Sequence, residues 1–113
     1  MNNPVDTESG RSKADLLREL ADEVARVLSV FGTLSLDAGD YWMGRINLSI
    51  PSVEVLIFQT ENFVPDILME CSTLLDAFPE DFRIRFIEAE RGGEPLKPLS
   101  GMSLNRYGAE TIG

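Results

Sequence analysis

The sequence predicts an α+β fold: a two-layer sandwich in the order α-β-β-β-α-β(-β), with two helices on one face of a mainly antiparallel sheet. Three observations lead to it. Two segments carry apolar residues at helical spacing on one side only: Leu16, Leu17, Leu20, Val24, Val27, Leu28 and Phe31, then Ile67, Leu68, Cys71, Leu74, Leu75 and Phe78. Two others alternate apolar with polar residues, Arg45 to Ile50 and Phe82 to Phe86. Between them, Val53-Glu54-Val55-Leu56-Ile57-Phe58 is almost wholly apolar and rich in β-branched residues, as a central strand is.

Taken in order, residues 1–11 are polar, lack periodicity and read as a flexible leader. Ser12 reads as an N-cap with Asp15 three residues on, an approximate capping box. The first helix then runs to Gly32, a plausible stop. Its other side carries Arg18, Glu19, Asp22, Glu23 and Arg26, a solvated face. Thr33 to Leu36 alternates briefly and predicts a first strand, and Asp37-Ala38-Gly39-Asp40 a turn. A second strand spans Tyr41 to Ile50, with Ile46, Leu48 and Ile50 inward and Arg45, Asn47 and Ser49 on an open, wet face.

After the central strand, Pro65 fits the first turn of the second helix, where its missing N–H costs nothing, and Pro79 stops that helix. In the strand from Phe82, the adjacent Phe86 and Ile87 break the alternation. A bulge there would turn Ile87 and Ala89 inward and leave Glu88 and Glu90 outward. The route from strand 53–58 through helix 64–78 to strand 82–90 fits a βαβ crossover. The chain thus divides into a leader 1–11, one α+β domain 12–98, and a C-terminal tail or short edge strand 99–113, with Ser103 to Tyr107 as the strand candidate.

Composition narrows the chemistry. The 113 residues carry a formal net charge of -9, include no histidine and hold one cysteine. Without imidazole, Ser-His-Asp and Cys-His catalysis are excluded. Zinc sites draw mainly on His and Cys, so no metal and no cofactor is expected. The 43% hydrophobic content suits a folded domain. No stretch approaches the roughly 20 apolar residues of a membrane span, so no membrane partner is expected. A lone Cys71 and the absence of a signal sequence point to the cytoplasm.

The acidity is concentrated. Residues 54–90 carry a net charge of -7, against -3 for 1–53 and +1 for 91–113. Such a field repels phosphate backbones, so no nucleic-acid partner is expected, and it attracts a basic protein. The plain alternative is that the charge only maintains solubility.

Each reactive group has a plainer reading beside it. Asp37 and Asp40 bracket Gly39, but Asp-x-Gly-Asp lacks the ligand ladder of a calcium loop and reads as turn chemistry. Glu80, Asp81, Glu88 and Glu90 flank one strand, and acid/base catalysis would need them to converge in a cleft. Cys71 lies on an apolar stripe and reads as a small core hydrophobe. Gly92-Gly93 lacks the Lys-Ser/Thr of a phosphate loop, and Pro95-Leu96-Lys97-Pro98 reads as a stiff connector. Tyr41-Trp42-Met43 is either an interface anchor or core.

In its small size, acidity and lack of catalytic equipment, the chain resembles bacterial immunity proteins against toxic nucleases. The likeness is one of class and rests on no diagnostic motif. It implies a non-catalytic inhibitor that neutralises a basic partner. Glu54, Glu61, Glu80, Asp81, Glu88 and Glu90 would meet Lys and Arg, and Tyr41 and Trp42 would supply an apolar anchor. The alternative is a self-associating structural or adaptor subunit, a homo-oligomer built on the sheet face or its edge; a carboxylate- and metal-dependent enzyme ranks third.

Overall fold

The computed structural model describes residues 12–35, 39–58, 65–90, 94–95 and 101–112. Helix α1 spans Lys13–Phe31 and helix α2 spans Pro65–Leu75. The strands are β1 (Tyr41–Asn47), β2 (Ser52–Ile57), β3 (Arg83–Glu90), the two-residue β4 (Glu94–Pro95), β5 (Gly101–Asn105) and β6 (Gly108–Ile112). The sheet runs β1-β2-β3-β5-β6, with β4 attached to β3. Among the described strands, β2 and β3 pair in parallel, connected through α2, and the other strand–strand pairings are antiparallel.

Local chemistry accounts for the ends of α1. The Asp15 N–H donates to Ser12 Oγ at 3.2 Å and the Ser12 N–H to Asp15 Oδ2 at 3.5 Å, a reciprocal capping box. The Gly32 N–H closes the last turn on the Leu28 carbonyl at 2.9 Å. α1 buries Leu17, Leu20, Val24 and Leu28, and α2 buries Ile67, Cys71 and Leu75. Both helices pack on the sheet face formed by Tyr41, Val53, Val55, Ile57, Ile84, Phe86 and Leu104. The chain is therefore an α+β two-layer sandwich with both helices on one face.

Several details depart from the sequence-based expectation. Thr33 to Leu36 does not make a strand among the described residues; Leu34 forms one isolated bridge to Tyr41. The chain folds straight back there, with Asp40 N–H and Tyr41 N–H both donating to the Thr33 carbonyl. Leu36 and Asp37 lie outside the described residues. β1 stops at Asn47, because Asn47 Oδ1 accepts the N–H groups of Ser49 (2.9 Å) and Ile50 (3.2 Å) and turns the backbone out of the ladder. Leu48 and Ile50 are consequently half exposed rather than inward.

The expected bulge at Phe86–Ile87 is absent, and the ladder runs unbroken through both residues. The bulge lies instead in β1, between Met43 and Ile46. Ile87 and Ala89 accordingly point away from the helices and form a second, small apolar cluster with Leu56 and Phe58. The face opposite the helices is also less open than expected: Ser52, Glu54, Leu56, Ile87 and Ala89 are all buried.

Residues 101–112 contribute a hairpin, with β5 inside the sheet and β6 at its edge. Among the described residues, no helix is long and apolar enough to cross a membrane, and no group of three or more acidic, His or Cys side chains is placed to hold a metal ion.

Candidate functional site

The topology gathers three turns at one end of the sheet. β1 ends there and β2 begins, joined by the turn Leu48–Pro51; β3 enters there after α2; and β5 turns into β6 there through Arg106 and Tyr107. Hydrogen bonds staple the three together. The Arg83 N–H donates to the Pro51 carbonyl at 2.9 Å. Tyr107 Oη donates to Glu80 Oε2 at 2.8 Å. Arg106 lays its Nη2 against the carbonyls of Leu75 (3.5 Å), Asp76 (3.3 Å) and Phe78 (2.7 Å), tying the hairpin to the end of α2.

Within this end lies an open cleft of about 470 Å³ lined by Glu80, Asp81, Arg83, Asn105 and Tyr107. Asn105 shapes it by accepting the Tyr107 N–H on Oδ1 at 2.7 Å, which holds the tip of the hairpin. Tyr107 itself is 72% exposed, and Leu48 and Ile50 at the same end are each 52% exposed. The bond to the Glu80 carboxylate, more than burial, raises the Tyr107 phenol above its ordinary pKa. The phenol therefore stays a neutral donor, and its ring stays presented to solvent. Apolar and aromatic groups beside carboxylates make a surface able to hold Lys and Arg stems and heads together.

The residues singled out in the sequence separate. Glu80 and Asp81 lie in this end, both exposed. Tyr41 is wholly buried in the helix-side core and cannot serve as an anchor; burial, then the neighbouring Asp40 charge, raises its pKa. Trp42 is 39% exposed, but at the opposite end of the sheet and on its other face, paired with Leu56. Glu54 is buried and engaged, accepting from Arg45 Nε at 3.0 Å and Arg85 Nη1 at 3.1 Å. Its charge is thereby neutralised within the fold, a correction to its expected role toward a partner.

Glu88 lies near the far end of β3, half-buried and in the alternation of Ile84 and Phe86, which makes it a helix-side residue. Glu61 and the side chain of Glu90 lie outside the described residues. β3 separates Glu80 and Asp81 from Glu88 by roughly 20 Å or more at the usual strand rise, so these carboxylates do not meet as an acid/base pair. Cys71 is buried, and burial followed by the Glu70 charge pushes its thiol up to about 12, an inert state.

None of Asn105, Tyr107, Leu48 and Ile50 is marked as a site residue by the sequence, which offers Ser103 to Tyr107 as an edge strand and turns Leu48 and Ile50 inward; β5 instead ends at Asn105 and Tyr107 lies in the turn. Asn105-Arg106-Tyr107-Gly108 does carry a turn signal, an Asn two residues before the Tyr and a Gly after it. A second hollow, about 280 Å³ and mostly apolar, opens at the β1 bulge between Ala21, Met43, Ile46 and Val53. It is smaller than most ligand pockets. Comparison of the chain with protein-family models, with curated proteins and with solved structures finds no match.

Proposed function

We propose that this chain is a non-catalytic protein-binding domain that docks a basic partner on its three-turn end. The reading extends to an inhibitor or immunity-type role, neutralising a basic protein such as a bacterial toxin in the cytoplasm. The observation that carries it is Tyr107, an exposed aromatic held in place by Glu80 over an open cleft beside Asp81. Tyrosines ordered in this way bind at low entropic cost and recur at the centres of interfaces. Leu48 and Ile50 are exposed in the β1–β2 turn at the same end of the sheet, and the acidic middle of the chain supplies long-range attraction.

The test begins with low-salt capture of the partner from the native lysate, followed by association kinetics with the purified pair. One basic protein at about one-to-one ratio is expected, with a rate that falls as salt rises. Reversing Glu80 and Asp81 together to Lys lowers that rate by about tenfold or more at low salt, as expected for steering charges. Trp42→Ala, at the other end, leaves it unchanged. An unchanged rate for the double reversal places the binding surface elsewhere. Recovery of the chain only as its own oligomer replaces this reading with a self-associating subunit.

A further inference from the structure

We infer that the β6 edge is a strand-addition site, and that its occupant is an extended segment of the partner carrying a basic residue opposite Glu110. The inference rests on the protein-binding reading and specifies how the partner attaches. β6 is the outermost strand of the described sheet, five residues long and paired on one side only, to β5. In an antiparallel ladder, alternate residues of such an edge turn their N–H and C=O groups outward. That row is a template for another strand unless charge, proline or a bulge blunts it. The register of β6 on β5 is continuous from Gly108 to Ile112, with no bulge and no proline. Glu110 is the one charged residue on it.

The register also selects the occupant. Across the face opposite the helices, Glu54, Arg85, Ser103 and Glu110 stand in one row. Within it, Glu54 and Arg85 satisfy each other at 3.1 Å. Glu110 ends the row at the open edge and is exposed. A residue on an added strand directly opposite would place its Cβ about 5 Å from that of Glu110, where opposite charges attract and like charges repel. A second copy pairing around the two-fold would set Glu110 against Glu110 in a chain of net charge -9, which disfavours self-pairing. A lysine or arginine is matched instead. Continuity with the three-turn end adds to this. β6 begins at Gly108, immediately after Tyr107, so a strand laid along it leads directly to the Glu80–Asp81 cleft.

The experiment is residue-resolved hydrogen exchange on the full chain at low salt, alone and with a ten-residue peptide alternating lysine and valine. The expected result is slowing, by about tenfold or more, of those β6 amides that β5 leaves unpaired. The slowing is lost in Glu110→Lys, kept in part by Glu110→Gln, and absent with a peptide alternating glutamate and valine. Equal slowing with the glutamate peptide overturns the charge selection. Slowing without any peptide that grows with protein concentration overturns it in favour of a second copy. If the partner captured at low salt perturbs Tyr107 and Glu80 yet leaves every β6 amide unchanged, the strand-addition site is wrong while the protein-binding reading stands.

Discussion

A side chain at Gly101 would have no room. An added Cβ would lie 1.8 Å from the Phe86 carbonyl oxygen, and the residue sits at φ +146°. β5 can lie against β3 there only because position 101 is glycine. Gly108 has nearly the same backbone angle, φ +150°, but nothing within 4 Å of its added Cβ. The pair separates two costs that usually arrive together. Gly108→Ala adds backbone strain alone, about 1–2 kcal/mol. Gly101→Ala adds strain and forces β5 off β3, for a loss of about 3 kcal/mol or more. Urea midpoints of the two variants check this, and equal losses would mean that the β3–β5 contact is not tight at this point. Glu54 makes a related point about charge. It sits on the central strand, and its two arginines come from the strands on either side, so the residue that looked like partner-facing acidity serves to join β1, β2 and β3.

At the scale of elements, α2 ends without a basic residue of its own in the last turn. The cation comes from Arg106 in the β5–β6 turn, whose Nη2 reaches three carbonyls at that helix end. A cation there meets both the unsatisfied carbonyls and the negative end of the helix dipole. Arg106→Ala is therefore expected to cost about 2 kcal/mol in denaturant unfolding, the usual range for hydrogen bonds to a charged group. Arg106→Lys recovers only part of that, since one ammonium cannot reproduce the planar fork. A variant as stable as the parent would show that the contact is ornamental. No local pattern announces this long-range cap: Pro79 predicts the stop by proline chemistry alone, and α2 already ends at Leu75. What was legible was the α1 and α2 stripes at helical spacing, the Ser12 cap from its side-chain chemistry, and β2 from its unbroken apolar, β-branched run. What failed depends on competing local bonds. Asn47 diverts its own strand, so Leu48 and Ile50 keep an alternating pattern but lose their burial. Thr33 to Leu36 alternates as a strand would, yet among the described residues of that stretch Leu34 forms a single bridge and no strand.

At the scale of the whole molecule, the sequence predicted the two layers correctly because one-faced helices must bury their stripes on something. It did not reveal the candidate site, because Leu48, Glu80 and Tyr107 are far apart in the chain and are brought to one end of the sheet only by the strand order β1-β2-β3-β5-β6. That same closure seals two ionisable groups in one core, Cys71 on α2 and Tyr41 on β1. Both have pKa values raised chiefly by burial, the thiol from 9.0 to about 12 and the phenol upward from 10.0. Below about pH 9 both groups are neutral whether the chain is folded or not, and they leave stability independent of pH. Between pH 9 and about 12 the thiol ionises in the unfolded chain and stays protonated in the folded one, so rising pH favours unfolding. Each pH unit in that window costs up to about 1.4 kcal/mol through the thiol. Each ionisation also adds negative charge to a chain already at -9. Urea midpoints are thus expected to stay flat, as far as these groups contribute, from pH 7 to 8.5 and to fall steeply above 9, with the first part of the fall weakened in Cys71→Ala. In the same range the Cys71 thiol should react with an aromatic disulfide only as fast as the domain opens. A native-state reaction at the rate of a free cysteine would mean that the two layers do not close over α2 as the fold requires.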